Sequence, residues 1–137
     1  MKFPALSVTK PYGQLINSGK KTIEVRHWEP DILPIFDLVI IENSIELSST
    51  GVSYDPEGIV VAMVDIRTTR EWVENDQVAS CSTVFENGWL AWELSNIRRL
   101  HYPHFVPARL RIYSIDLDAE LIEPDFRKLV TRIKFAE

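Results

Sequence analysis

The longest apolar runs in this chain have the length of β-strands. They span residues 38–41 and 59–64, and no run approaches the roughly 20 apolar residues that a membrane-spanning helix requires. Short apolar runs bounded by turn-forming residues are typical of buried strands. The sequence therefore predicts a mainly β protein with no membrane partner. Its 137 residues are enough for a single domain, 1–137, with a core of its own.

Period-two alternation and turn residues divide the chain into short elements. We predict strands over residues 3–8, 19–26, 36–42, 58–67, 89–97 and 108–117, with a loop over 44–58 and irregular or weakly helical structure over 68–86. A short helix is predicted over 9–19, because Thr9 can cap it, Pro11 suits its first turn and Gly19 suits its C′ position.

The spacing of apolar residues near the end of the chain predicts an amphipathic C-terminal helix over about 124–135, with a core-facing stripe of Phe126, Leu129, Val130 and Ile133. Five or six short strands with a few helices indicate an α+β fold that is mainly β. We expect a small, partly open β-barrel with helices at its ends.

The second predicted strand, GKKTIEVR at residues 19–26, has an unusual polar face. Glu24 and Arg26 point to the same side of a strand, roughly 7 Å apart along the chain. Lys21 has the parity of Ile23 and Val25, so it joins them only if the strand begins after it or is bulged there. The pair is either an exposed ion pair worth about 1 kcal/mol or less, or the floor of a binding site.

The net charge of −5 is unevenly distributed along the chain. Residues 1–28 contain five lysines and arginines against one acid, and residues 29–97 contain two arginines against thirteen acids. Residues 98–113 contain no acid and four arginines, Arg98, Arg99, Arg109 and Arg111. These arginines are candidates for a phosphate-binding rim, although a solvated polar face explains them equally well. Any nucleic-acid contact is expected to be local.

Cysteine and histidine usage argues against several kinds of site. The single cysteine, Cys81, excludes an internal disulfide framework, and no histidine lies near it in sequence to activate it as a nucleophile. The three histidines do not have the clustered spacing of a catalytic metal site. We therefore predict no metal and no cofactor. The N-terminus lacks the apolar segment of a signal peptide, and we expect a cytoplasmic location.

Two tryptophans, Trp89 and Trp92, have opposite parity in the fifth predicted strand. They cannot both line one face of a regular strand. We predict that one lies in the core and that the other is a candidate stacking wall.

The N-terminal third of the chain resembles the signature of the ASCH domain, a family with a PUA-like β-barrel fold. The resemblance rests on the segments 6–12 (LSVTKPY) and 15–26 (LINSGKKTIEVR), followed by Trp28. The last positions of the family pattern, Gly-x-Lys-x-x-Glu-x-Arg, are occupied here by Gly19, Lys21, Glu24 and Arg26. The weaker remainder of the match extends the resemblance to about residues 3–116.

This resemblance implies a polar cleft beside the barrel. It suggests Lys21, Glu24 and Arg26 as cleft residues, with Ser7, Lys10 and Tyr12 on the adjoining loop. A carboxylate accepts hydrogen bonds from the amino group of a base, and a guanidinium donates to carbonyl or phosphate oxygens. Tyr12 and Trp28 could stack on a base. Since relatives with PUA-like folds bind RNA or modified bases, we expect a module that recognises a nucleobase, nucleotide or RNA segment.

Two alternatives remain open. One branch of the family hydrolyses acetylcytidine and resembles this chain at Lys21 and Arg26, but it has a threonine nucleophile where this chain has Glu24. An amidohydrolase would use Lys21 and Glu24 as catalytic groups, with Glu71, Glu74 or Glu86 completing the site. The second alternative is a regulatory adaptor that binds another protein through an exposed apolar patch formed by Trp28, Trp72 or Trp89.

Overall fold

A computed structural model describes residues 1–118, except for the side chains of residues 101–103. The elements in chain order are β1 (Lys2–Thr9), α1 (Tyr12–Asn17), β2 (Ile23–Arg26), β3 (Ile35–Asn43), β4 (Tyr54–Asp55), β5 (Ile59–Glu71), a 3₁₀ turn (Glu74–Asp76), α2 (Gln77–Ser80), β6 (Leu90–Phe105), β7 (Ala108–Arg109) and β8 (Ile112–Asp116). The mainly β fold class is confirmed. The predicted C-terminal helix at about 124–135 lies outside the described residues, so the domain extent 1–137 stays a prediction.

Six strands form one mixed sheet in the order β2-β6-β5-β3-β1-β8, and β4 and β7 form a separate two-stranded sheet. β1 and β3 pair in parallel, whereas the other neighbours in the large sheet pair antiparallel. Within the described residues β2 and β8 remain at opposite ends of the strand order, so the sheet is not closed into a barrel. The predicted barrel is therefore better described as a mixed sheet.

The large sheet is buried on both faces, which explains the continuous apolar runs in its central strands. In β3, Val39 and Ile41 belong to one core cluster, and Leu38 and Ile40 belong to the other. Successive side chains of a strand point to opposite faces, so a strand covered on both sides has apolar residues at consecutive positions. Ile16 of α1 is fully buried in the second cluster.

β5 and β6 form a long antiparallel pair that extends well past the predicted ends of both strands. The pairing connects Ile59 with Phe105 at one end and Glu71 with Leu90 at the other, and three register shifts interrupt it. Cross-strand pairing stabilises polar segments whose local sequence is a poor predictor of strand, so the prediction ended both strands too early.

Bulges in β3 and β6 assemble a group that we call the closed cluster, which consists of Asp37, Asp65, Asn96 and Arg98. Asp37 and Asn96 have positive φ values of 59° and 49°. The guanidinium of Arg98 contacts Oδ1 of Asp37 at 2.5 Å and Oδ1 of Asp65 at 2.6 Å. Arg98 is 4% exposed. Arg98 was predicted to lie on a phosphate-binding rim, but the carboxylates of Asp37 in β3 and Asp65 in β5 hold it inside the sheet.

The loop and turns around α1 differ in one respect from the prediction. Thr9 is the last residue of β1 and does not cap α1, which begins at Tyr12 after Pro11. Instead, Oε2 of the buried Glu42 accepts a hydrogen bond from the backbone N–H of Gln14 at 2.9 Å. Gly19 follows the C-cap residue with φ of 81°, as the helix-ending pattern predicted.

Candidate functional site

The turn after α1 determines where Lys21 lies. The backbone N–H groups of Lys20 and Lys21 both donate to the carbonyl oxygen of Leu15, at 3.0 and 2.9 Å. β2 begins only at Ile23, so Lys21 precedes the strand. The alternation of side chains along β2 therefore does not determine the direction of the Lys21 side chain. The condition under which Lys21 could join Glu24 is therefore met.

Lys21 is 3% exposed and is held by two backbone carbonyl groups and one carboxylate. Its Nζ donates to the carbonyl oxygens of Ile23 at 2.8 Å and of Ser80 at 2.7 Å. Nζ also lies 3.4 Å from Oε1 of Glu24. Two of its three N–H donors are therefore used by backbone carbonyl oxygens, and the ammonium forms an ion pair with Glu24. Lys21 thus ties β2 to α2 and supplies a fixed positive charge beside Glu24.

Glu24 is the central group of what we call the cleft cluster, formed by Lys21, Glu24 and Arg26. Its Oε1 accepts from the backbone N–H of Val25 at 3.1 Å, and its Oε2 accepts from Nη2 of Arg26 at 3.3 Å. Burial on its own would raise the pKa of Glu24, but the charges of Arg26 and Lys21, with these hydrogen bonds, outweigh burial and hold the pKa below its ordinary value. Glu24 is therefore an anion at neutral pH.

Arg26 links the cleft cluster to β1. Its Nη2 also donates to the carbonyl oxygen of Ser7 at 2.8 Å. The Ser7 hydroxyl lies 2.7 Å from the Tyr113 hydroxyl and accepts from the backbone N–H of Arg109 at 3.1 Å. The Tyr113 hydroxyl in turn donates to the carbonyl oxygen of Pro107 at 3.2 Å. Ser7 thus fastens the β7–β8 segment beside the cleft, and its own hydroxyl is already engaged.

Two adjoining cavities open beside the cleft cluster, and they share Tyr12, Glu24 and Val25. The first, which we call the aromatic cavity, has a volume of about 280 Å³, and its further lining includes Lys21, Trp72, Ser82, Val84, Glu86 and Trp89. The second, the basic cavity, has a volume of about 390 Å³, and its further lining includes Ser7, Arg26, Asn43, Glu46, Arg109 and Arg111. Glu24 therefore stands on the boundary between an aromatic and a basic half of one cleft.

Most of the residues proposed from the sequence line this cleft, but four do not: Lys10, Trp28, Arg98 and Arg99. Tyr12 is exposed, and its ring centroid lies 5.3 Å from Nζ of Lys21. Lys10 is exposed and lines neither cavity. Trp28 lines neither of these two cavities, but it lines a third one that shares Arg111 with the basic cavity. Arg99 is directed elsewhere, since its Nε donates to the carbonyl oxygen of Asn17 at 3.2 Å.

The two predicted basic segments meet only in part. Arg26 from the first segment and Arg109 and Arg111 from the second line the basic cavity, whereas Arg98 is buried in the closed cluster. Within the described residues, neither Arg109 nor Arg111 forms an ion pair. Their guanidinium carbons instead lie over aromatic rings, 4.9 Å from the Tyr54 centroid for Arg109 and 4.2 Å from the Trp28 centroid for Arg111.

Sequence reasoning missed much of the aromatic cavity. Trp72 and Ser82 come from the segment between β5 and β6, which has no regular period that would assign its side chains to a face. Trp89 and Trp92 do separate as their parity predicted: Trp92 is fully buried, and Trp89 lines the cavity. Of the three candidate glutamates, only Glu86 is among the cavity's described lining residues.

No helix within residues 1–118 is long and apolar enough to span a bilayer. Over the same residues, no group of three or more histidine, cysteine, aspartate or glutamate side chains could hold a metal ion.

A mixed β sheet with an ionic group at the mouth of a two-part cleft defines a small β-rich domain organised around a polar cleft. The ASCH domain profile matches residues 6–104, more than two-thirds of the chain, and the chain belongs to the ASCH domain family. The resemblance found in the N-terminal motif is thereby confirmed.

A solved structure agrees with this assignment at the level of the fold. The chain is similar to the crystal structure of ASCH from Zymomonas mobilis, with 18% identity, a TM-score of 0.50 and 93% of each chain covered. It is also similar to two variants of ZmASCH. For a serine-to-alanine variant the identity is 18%, the TM-score 0.48 and the coverage 93% of this chain and 94% of that one; for a tyrosine-to-phenylalanine variant the values are 16%, 0.43, 93% and 96%. No curated protein matches the sequence.

Proposed function

We propose that this ASCH domain is a binding module whose cleft recognises a nucleotide or a segment of RNA. The observation that carries the proposal is the position of Glu24, an anion on the boundary between the aromatic and basic cavities. A nucleotide has the complementary halves, a flat base with hydrogen-bonding edges and an anionic phosphate. A site that places aromatic rings on one side of an acceptor and guanidinium groups on the other fits both halves at once.

The aromatic cavity supplies surfaces for a base. Tyr12 and Trp89 provide ring faces on which a base could stack, which is typically worth about 1–3 kcal/mol per base. Glu24 accepts two described hydrogen bonds and lies 3.4 Å from Nζ of Lys21. An ionised carboxylate has about four acceptor positions, so acceptor capacity is left for an amino group of the ligand. These features favour a base that presents an exocyclic amino group.

The basic cavity supplies donors for a phosphate. All described contacts of the Arg26 side chain are made through Nη2, so its Nη1 and Nε remain as donors within the described part of the chain. Arg109 and Arg111 line the same cavity and are exposed. The acidic Glu46 also lines this cavity, which limits the positive field and favours one or two phosphates over a long duplex.

The proposal is tested by calorimetric titration of the purified protein with each of the four 5′-mononucleotides and with short single-stranded RNA. We expect Glu24→Gln to weaken binding about tenfold or more, as loss of a charged hydrogen bond typically does. The matched control is Glu57→Gln, which removes the same charge at an exposed position outside the cleft. Absence of binding to every nucleotide and RNA, or equal affinities in both variants, would contradict the proposal.

Hydrolysis of a modified nucleoside such as acetylcytidine is supported by one observation, the presence of Glu86 in the same cavity as Lys21 and Glu24. The geometry of Lys21 weighs against it, because its Nζ already donates to the carbonyl oxygens of Ile23 and Ser80 and pairs with Glu24, which leaves little donor capacity for a substrate. Incubation of the protein with acetylcytidine decides between the two: turnover that disappears in Glu86→Gln would favour hydrolysis.

A protein-binding adaptor receives less support from the arrangement of tryptophans. Trp72 is buried, and Trp28 and Trp89 are half-buried in the walls of cavities, so they do not form the exposed apolar patch that such an adaptor would use.

A further inference from the structure

A third cavity continues the cleft beyond Arg111. Its volume is about 310 Å³, and its lining includes Pro4, Trp28, Pro30, Ile32, Arg111 and Ile112. We call it the Trp28 cavity. Arg111 lines both this cavity and the basic cavity, just as Glu24 lines both the basic and the aromatic cavity. The three cavities therefore adjoin in a row, with aromatic rings at both ends and guanidinium groups between them.

Trp28 is held in a fixed position at the end of this row. Its ring meets the buried ring of Trp92 edge to face, with the ring centroids 4.8 Å apart. Its carbonyl oxygen accepts from Nε1 of Trp92 at 3.1 Å. The guanidinium carbon of Arg111 lies 4.2 Å from the centroid of the Trp28 ring. Since Arg111 already lies over the ring, Trp28 and Arg111 together form a preformed wall, and a planar ligand group would bind without first ordering it.

Arg111 is placed to serve two neighbouring ligand groups. It is exposed and has φ of 60°, a conformation that directs the chain sharply at the β7–β8 turn. Its guanidinium stacks on Trp28 while the same residue borders the basic cavity. Guanidinium planes stack on bases, and their edges donate to phosphate oxygens. Arg111 can therefore contact a phosphate and an adjacent base together.

We propose that the cleft takes a single-stranded oligonucleotide, with one base in the aromatic cavity, the linking phosphodiester in the basic cavity and a neighbouring base in the Trp28 cavity. This inference rests on the proposed function and extends it, since a mononucleotide would fill only two of the three cavities. The ends of the row carry acidic groups, Glu86 in the aromatic cavity and Asp31 in the Trp28 cavity, so the phosphate contacts are confined to the middle.

The experiment compares the affinity of the full chain for a mononucleotide and for an RNA tetranucleotide of the same base, by calorimetry at one salt concentration. The base is the one that binds best among the four 5′-mononucleotides. We expect the tetranucleotide to bind at least about tenfold tighter, the gain typical of one added stacking contact. We also expect a shallow salt dependence, with log K falling by about 0.7 to 1.4 per decade of salt, as one or two phosphates on a single strand would give.

Two variants separate the Trp28 cavity from the rest of the cleft. Trp28→Leu should lower tetranucleotide affinity at least about tenfold more than it lowers mononucleotide affinity, because Arg111, which lies over the Trp28 ring, serves the phosphate of both ligands. Because Trp28 also packs on Trp92, Ile32→Glu serves as a second variant: Ile32 is 78% exposed and lines only this cavity among the three. Val78→Glu is its control, since Val78 is 87% exposed and lines none of them.

The outcomes distinguish this inference from the proposed function. If a mononucleotide binds and the tetranucleotide is no tighter, or if Trp28→Leu and Ile32→Glu leave the ratio of the two affinities unchanged, the oligonucleotide inference is overturned and the nucleotide site stands. If neither ligand binds, the proposed function itself fails and the inference fails with it.

Discussion

The cleft cluster and the closed cluster are both buried ionic groups, but they differ in what surrounds them. In the closed cluster Arg98 donates to two carboxylates and to the carbonyl oxygen of Asn96, and Asp65 accepts from Asp37, Asn96 and Arg98. None of these residues is among the described lining of the three cavities. In the cleft cluster, Glu24 also pairs with Lys21 and Arg26. Glu24 and Arg26 differ from the closed cluster because they also border cavities.

Burial of charge alone is therefore a poor guide to function in this protein. The pKa of Asp65 and the pKa of Glu24 are both lowered, although burial would raise each of them, because hydrogen bonds and cations outweigh burial at both sites. What separates the two clusters is hydrogen-bonding capacity left over beside an open volume. Buried ion pairs often stabilise a unique arrangement more than they stabilise the fold, and the closed cluster fits that role by holding two bulges together.

The largest effect is expected in the closed cluster. Arg98→Met leaves Asp65 buried without its cation and should lower the free energy of unfolding by about 3–5 kcal/mol. Urea denaturation measures this loss, and Arg67→Met at an exposed position of β5 should change it by less than about 0.5 kcal/mol. A loss below about 1 kcal/mol in Arg98→Met would mean that the closed cluster stabilises the sheet no more than a surface ion pair does.

A smaller effect, with a pH signature, is expected in the cleft cluster. Glu24→Gln should lower the free energy of unfolding by about 1–3 kcal/mol at pH 7. Because the folded state lowers the pKa of Glu24, its contribution is complete above the ordinary value of about 4.3 and is lost as the pH falls through the folded value. The difference between wild type and variant should therefore shrink below about pH 4.5.

Urea denaturation at pH 7, 5, 4 and 3 checks this dependence on Glu24. The lowered pKa values of Asp55, Asp65 and Asp76 persist in the variant, so both proteins should still lose stability in acid. Glu57→Gln is the control, and its curve should run parallel to that of wild type. A difference for Glu24→Gln that grows toward low pH would show that the carboxylate destabilises the fold.

The cleft cluster could be predicted from the sequence because its members are close together in the chain. The alternation in IEVR placed Glu24 and Arg26 on one face, and Gly19 indicated the turn that brings Lys21 to them. Local periodicity and turn chemistry contain this information, and the family motif strengthened it.

The closed cluster and the aromatic cavity could not be predicted, because they depend on long-range register. Arg98 binds Asp37, which is 61 residues away in the sequence, and Asp65, which is 33 residues away. These contacts form at β-bulges that no local sequence pattern predicts. The aromatic cavity depends on the irregular segment after β5, where Arg70 forks onto Asp76 at 2.7 and 2.9 Å and fixes the turn below Trp72. Such long-range side-chain pairs stabilise one arrangement of the strands where local propensity favours several arrangements equally.

The smallest effect is expected at the turn around Gly19, which precedes Lys21 of the cleft cluster. A substitution there tests whether the cleft cluster is as tightly coupled to the fold as the closed cluster is. Gly19 has φ of 81°, and a Cβ there would meet no atom within 4 Å, so Gly19→Ala adds backbone strain alone, about 1 kcal/mol. Gly88, with φ of 90° and equally open surroundings, is a matched control and should cost the same. The measurement is again the free energy of unfolding in urea. The backbone N–H of Lys21 is hydrogen-bonded to Leu15 immediately after this turn. If Gly19→Ala lowers the free energy of unfolding by more than about 1 kcal/mol beyond the loss in Gly88→Ala, the strain at the turn reaches the cleft cluster. The turn could then not change its conformation without disturbing the ion pairs of the cleft cluster.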